Sequence, residues 1–151
     1  MYLVVVLVTM FAAPVASIAL DLRFGDPLVA LVGKWFVFWT VGVRLALAGG
    51  RQIMQPGFTA NEIFGIADRK AWLIVRELGL ANLAVAVVAL ASLVKPAFVA
   101  PAAVIGAIFY GGAGVQHFVA GGRSQKETVA LASDLFAFVA LAGYAVWALS
   151  V

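Results

Sequence analysis

A chain of 151 residues in which 65% are hydrophobic and 11% charged, with a mean hydropathy of +1.10, has too little polar surface to cover a water-soluble globule. Hydrocarbon is its solvent. At roughly 20 residues per span the length accommodates about five membrane-spanning helices with short connections and no globular appendage. The formal charge of +3 rests on basic residues scattered between apolar stretches, as membrane topology requires, so nucleic acid is not an expected partner; the lack of cysteine excludes disulfides, thiolate metal sites and thiol redox chemistry.

The pattern predicts an all-α integral membrane protein, one domain over residues 1–151, with spans at about 1–20, 28–48, 71–94, 101–120 and 129–149 and a short interfacial helix between the second and third. The first apolar run lacks a basic segment before its core, which separates it from a cleavable signal peptide, and Pro14 predicts a kink within it. Asp26-Pro27 reads as an acid cap followed by proline at the first helical position. Thr59-Ala60-Asn61-Glu62 reads as a capping box, with Phe58 and Ile63 as its hydrophobic staple, and opens the interfacial helix. The third span stops at Lys95-Pro96 and the fourth starts at Pro101, a connection so tight that these two spans are expected to pack as antiparallel neighbours. A second capping box, Ser124-Gln125-Lys126-Glu127, opens the last span.

Basic loop residues set the orientation. Arg51, Arg69, Lys70, Arg123 and Lys126 fall on the N-terminal side, against Arg23 and Lys95, with Lys34 if it reaches outward, on the other. The excess predicts a multi-pass protein of the cell (inner) membrane with its N-terminus in the cytoplasm.

Ionisable side chains in hydrocarbon are costly and usually face the bundle interior for a purpose. Here they are Lys34, Arg44, Arg76, Glu77, His117 and Asp134, joined by the neutral Asn82 and Gln116. Arg44, Arg76, Glu77, His117 and Asp134 all lie near the same end of their spans, the end predicted to be cytoplasmic. Arg44, Glu77, His117 and Asp134 are therefore expected to converge on one water-accessible cavity, as a ligand site or proton relay, with structural ion pairing as the plain alternative. Arg76 is expected to reach out to the interface. Asn82, about 140° around the helix from Glu77, either joins that site or bonds a neighbouring helix; if protein satisfies both residues, the third span is the centre of the bundle. Small residues beside His117, and the ridge Ala103-x-x-x-Ala107-x-x-x-Gly111, point to close helix packing, against the third span or an outside partner. No nucleotide, catalytic-triad or metal-ligand spacing is present, so neither catalytic residues nor metal ligands are assigned.

The run Val41-Gly42-Val43-Arg44-Leu45-Ala46-Leu47-Ala48-Gly49-Gly50 with Pro56 after it, and Glu77-Leu78-Gly79-Leu80-Ala81-Asn82-Leu83 in the next span, resemble small bacterial integral membrane proteins of the DoxX-like kind and their uncharacterised relatives. The resemblance covers spans two to five, with span one additional to the usual four-helix core. It implies a setting accessory to quinone or redox metabolism and assigns no catalytic residue and no cofactor. The expectation is thus a non-enzymatic protein whose partners are the lipid bilayer and a lipid-like or quinone-like small molecule, or an accessory subunit working with other membrane subunits or as a homo-oligomer. The other reading is a small proton-coupled transporter using Glu77 and Asp134.

Topology can be tested directly. Reporter fusions after Lys95 and after Val151 are both expected to report an external location, and a cytoplasmic signal from the second would overturn the orientation or the span count.

Overall fold

Inside hydrocarbon a helix satisfies its own backbone, and the computed structural model, which describes residues 2–119 and 125–150, contains helices and no strand among them. Helix α1 is Leu3–Phe24, α2 is Leu28–Met54, α3 is the short stretch 56–63, α4 is Ala71–Ala91, α5 is Pro96–Val119 and α6 is Gln125–Ser150. All except α3 are long and apolar enough to cross a membrane.

Pro14 has no N–H to offer the carbonyl four residues before it. The helix widens just upstream instead: Val8–Ala12 is π-helical, and the Ala13 amide bonds to the Val8 carbonyl. The Thr9 carbonyl, passed over by that amide, accepts the hydroxyl of Thr40 at 3.3 Å. Helix α2 carries a matching device. Over Val37–Val43 it too is π-helical, the Arg44 amide bonds to the Trp39 and Val41 carbonyls, and the Thr40 carbonyl between them accepts the Tyr110 hydroxyl at 2.5 Å. The Thr9 hydroxyl closes the chain by donating to the Val5 carbonyl at 2.7 Å. Thr9, Thr40 and Tyr110 are all buried, so this junction joins α1, α2 and α5 in the dry middle of the bundle. The kink expected at Pro14 is thus accommodated as a widened turn.

The most extensive contacts are those of α2 with α4 and of α5 with α6. The buried residues of α4 are Val75, Gly79, Asn82, Ala86 and Ala89, a single stripe at three- and four-residue spacing. Helix α4 therefore lies at the edge against α2, which corrects two expectations: it is not the central helix, and its tight turn into α5 does not make those two close neighbours. Glycines decide which faces meet. A Cβ at Gly49 would sit 2.6 Å from the Gly79 carbonyl oxygen, so α2 and α4 cross nearly backbone to backbone there. On α5, Cβ atoms at Gly106, Gly111 and Gly114 would strike Leu141, Phe138 and Leu135 of α6. The small-residue ridge is internal, with Ala103 and Ala107 buried. Phe11 stacks on Phe136 at a centroid distance of 4.7 Å, which ties α1 to α6.

Several boundaries move for local reasons. Pro27, with ψ 134°, is itself the cap of α2, its carbonyl accepting the Ala30 and Leu31 amides, and Asp26 makes no capping bond. Helix α2 continues through Gly49 and Gly50 to Met54 because Gly49 is packed against α4. Helix α3 begins at Pro56, whose fixed φ suits a first helical position, after Gln55 leaves the helix at φ −132° and ψ 57°. Thr59 then lies inside a helical path with no capping bond, so the predicted capping box is not formed. Helix α5 starts at Pro96, and Pro101 falls within its early turns, where amides have no ladder partner. The capping box at 124–127 lies outside the described residues and side chains.

Because Ala107 is buried within the bundle, Ala107→Leu is expected to overpack it by about 1 to 3 kcal/mol. Thermal unfolding should show the loss with native mass unchanged; a lower native mass from a folded variant would move the ridge to an outside interface.

Candidate functional site

Arg44, Leu47, Ala48, Arg51 and Gln52 fall on one face of α2 at alternating three- and one-residue spacing. Toward the C-terminal end of α2 the chain doubles back through α3, and Phe58, Thr59, Ile63 and Phe64 close over that face while Val5 of α1 approaches from the other side. Between them is a cavity of about 330 Å³. Its walls are mostly aliphatic and aromatic, and its polar groups are two guanidiniums, the Gln52 amide and the Thr59 hydroxyl. Among the described residues no carboxylate lines it. Arg44 and Arg51 are seven residues apart, about 10 Å along the axis and nearly in line, so one lies deep and the other near the helix end.

Neighbouring groups fix Arg51 and Gln52. Arg51 stacks on Phe58, its guanidinium carbon 3.7 Å from the ring centroid, which directs the head along the cavity wall. Asn82 on α4, 5% exposed, donates from Nδ2 to Gln52 Oε1 at 2.8 Å. That bond occupies the acceptor end of the Gln52 amide and leaves its two N–H donors for other partners. Deeper in, Arg44 is within electrostatic reach of Tyr110 and Asp134. Asp134 in turn has Oδ2 3.8 Å from His117 Nε2, an ion-pair separation rather than a hydrogen bond. The Asp134 side chain is 14% exposed and that of His117 38%, so the acid is the inner member of the pair.

The residues singled out by sequence thus divide. Arg44 lines the cavity. Asp134 and His117 form a pair behind it on α6 and α5, with Arg44 as the group that electrostatics links to both cavity and pair. Asn82 is outside the cavity lining and acts through Gln52. Glu77 does not join them: it is exposed and is absent from the lining. The reason is angular, because Glu77 sits two residues from both Val75 and Gly79 and so about 200° around α4 from the buried stripe. Arg76 and Gln116 are exposed as well. A second span that ends at residue 48 leaves out Arg51 and Gln52, although the spacing of Arg44, Leu47, Ala48, Arg51 and Gln52 continues the stripe, and the capping-box reading of Thr59 gives its hydroxyl a different task.

A second cavity of about 410 Å³ lies by the opposite end of α2, between Asp26, Lys34, Ser92 and Tyr144. Its cation is already matched, since Lys34 Nζ is 2.7 Å from Asp21 Oδ2, which also accepts Trp35 Nε1 at 2.9 Å. Among the described residues no group of three His, Cys, Asp or Glu side chains is placed to hold a metal ion.

Residues 1–149 match the family of unknown function DUF6790. No curated protein and no solved structure matches the chain.

The different settings of Asn82 and Glu77 give a paired test. Asn82→Leu strips Gln52 of its partner and is expected to lower stability by roughly 0.6 to 1.7 kcal/mol, the range for hydrogen bonds between helices in membranes. Glu77→Gln, on an exposed face, should stay within about 0.5 kcal/mol of the parent. Thermal unfolding of both variants checks this, and a larger loss at Glu77 than at Asn82 would return Glu77 to the interior.

Proposed function

We propose that this chain, which belongs to the family of unknown function DUF6790, is a multi-pass protein of the cell membrane that holds a lipid-like or quinone-like amphiphile in the cavity between α1, α2 and α3. The observation that carries this reading is the cavity itself: apolar walls for a hydrocarbon tail, with a few fixed polar groups to orient a head. Its volume falls at the lower end of the range of small-molecule sites, about 300 to 1,000 Å³. With the N-terminus in the cytoplasm, as the basic loop residues favour, the C-terminal end of α2 and the cavity belong to the cytoplasmic leaflet. The DoxX-like resemblance adds a quinone or redox setting, in which the protein works as a binding or accessory subunit beside other membrane subunits or a second copy.

The Asp134 and His117 pair supports a second reading, a small proton-coupled carrier in which the pair takes up and releases a proton next to Arg44. Glu77, on an exposed face, has no part in it.

Ala48 lines the cavity, so Ala48→Phe fills it without removing a polar group. Native mass spectrometry of gently solubilised protein is expected to show a co-purified adduct in the lipid mass range on the parent chain and its loss from Ala48→Phe. An adduct kept by the folded variant, or none on the parent after mild solubilisation, overturns the amphiphile reading. Uptake of protons coupled to a solute in vesicles, abolished by Asp134→Asn, would favour the carrier.

A further inference from the structure

The cavity described above is unbalanced in its chemistry. Two guanidiniums, the donor end of a primary amide and a hydroxyl line it, and among the described residues no carboxylate does. Arg44 shares its charge with Asp134 behind it. For Arg51 the partner at hand is the Phe58 ring, a soft neutral surface that leaves the planar N–H edge available, and among the described residues it is in no ion pair. The position matters as much as the charge. Arg51 stands in the last turn of α2, where the carbonyls at the helix end already favour cations, so the guanidinium itself is well tolerated there. Gln52 stands beside it with its carbonyl oxygen turned to Asn82. An occupant near Arg51 and Gln52 therefore meets donors and positive charge, while Val5, Leu47 and Ala48 give the cavity apolar wall and Arg44 is a second, deeper cation whose field Asp134 opposes.

We infer that the amphiphile held here is anionic, with a carboxylate or phosphate head set against Arg51, Gln52 and Thr59 and its hydrocarbon chain running inward past Leu47 toward Val5. The inference rests on the amphiphile-binding reading and narrows it, since a neutral quinone ring brings two carbonyl acceptors but no charge to answer Arg51. A bidentate guanidinium contact with a carboxylate or phosphate supplies the discrimination. Asn82 is then a positioning residue, turning the Gln52 amide so that its N–H groups face the head.

The test uses the full chain in a neutral maltoside detergent and native mass spectrometry with four probes at equal concentration: oleate, phosphatidylglycerol, phosphatidylcholine and a short-chain benzoquinone. Oleate or phosphatidylglycerol is expected to bind at least about tenfold more tightly than the other two, the factor that one charge-assisted hydrogen bond supplies. The stronger of the two anions then identifies the head as carboxylate or phosphate. Arg51→Gln should remove the preference and Arg51→Lys, which keeps the charge but loses the planar fork, should keep only part of it, with both variants unfolding near the parent temperature. A preference that survives Arg51→Gln, or anions that bind no better than phosphatidylcholine, overturns the anionic assignment. Ala48→Phe separates this failure from the failure of the wider reading: quinone or phosphatidylcholine lost in that variant leaves the cavity as an amphiphile site without the charge requirement, whereas no probe sensitive to Ala48→Phe removes both.

Discussion

The hydrogen bond from the Tyr110 hydroxyl to the Thr40 carbonyl is what allows α2 to depart from α-helical geometry in the middle of the bundle. In an apolar interior an unpaired carbonyl costs several kcal/mol, so a missing helical donor has to be replaced by a neighbouring side chain. Thr40 sits where the Arg44 amide skips to its neighbours, so the phenol supplies what the helix withholds. The same residue gives back a hydroxyl to the Thr9 carbonyl, which the π-helical turn ahead of Pro14 has set aside. One proline on α1 is thereby answered by a threonine on α2, and that threonine by a tyrosine on α5. The three helices are fixed relative to one another by groups that have no other way to be satisfied.

From this junction the rest of the arrangement follows by steric matching. Helix α6 packs into the glycine and alanine face of α5, and α4 is carried on α2 by the contact of Gly49 with Gly79. The π-helical stretch over Val37–Val43 also shifts the register of α2, so the faces above and below it are offset. Above it, Lys34 and Trp35 engage Asp21 of α1. Below it, the stripe from Arg44 to Gln52 is turned toward α1 and α3, and the cavity forms there. A distortion that looks like a defect in α2 is thus what gives the helix two different working faces.

The charges are managed differently at the two ends. By the first cavity Arg51 rests on an aromatic ring, Arg44 lies within electrostatic reach of Asp134, and among the described residues no acid enters the wall. At the other end an acid, a lysine and an indole form a closed set. A site whose cations are matched inside the protein has little left to recognise, whereas one whose donors exceed its acceptors is complementary to an anion. Asn82 belongs to this logic at one remove: buried on α4 and outside the cavity lining, it holds the carbonyl end of the Gln52 amide that lines it.

By itself the sequence determined the class of the protein, the number of long apolar helices and roughly where each lies, because hydropathy and length are local properties that lipid reads directly. It also marked Arg44, Asn82, His117 and Asp134 as residues that hydrocarbon would not leave alone. The tertiary structure decided which of those meet. Glu77 and Asn82 are equally polar in the sequence, and only the choice of α2 as the partner of α4 turns one outward and the other in. Likewise the short loop after α4 promised a close pair with α5, but small residues on α5 fit α6 better, and surface matching rather than chain connection sets helix neighbours in lipid. Arg51 and Gln52 were hidden for a related reason: a glycine pair that reads as the end of a helix is, once Gly79 lies against Gly49, a place where the helix continues.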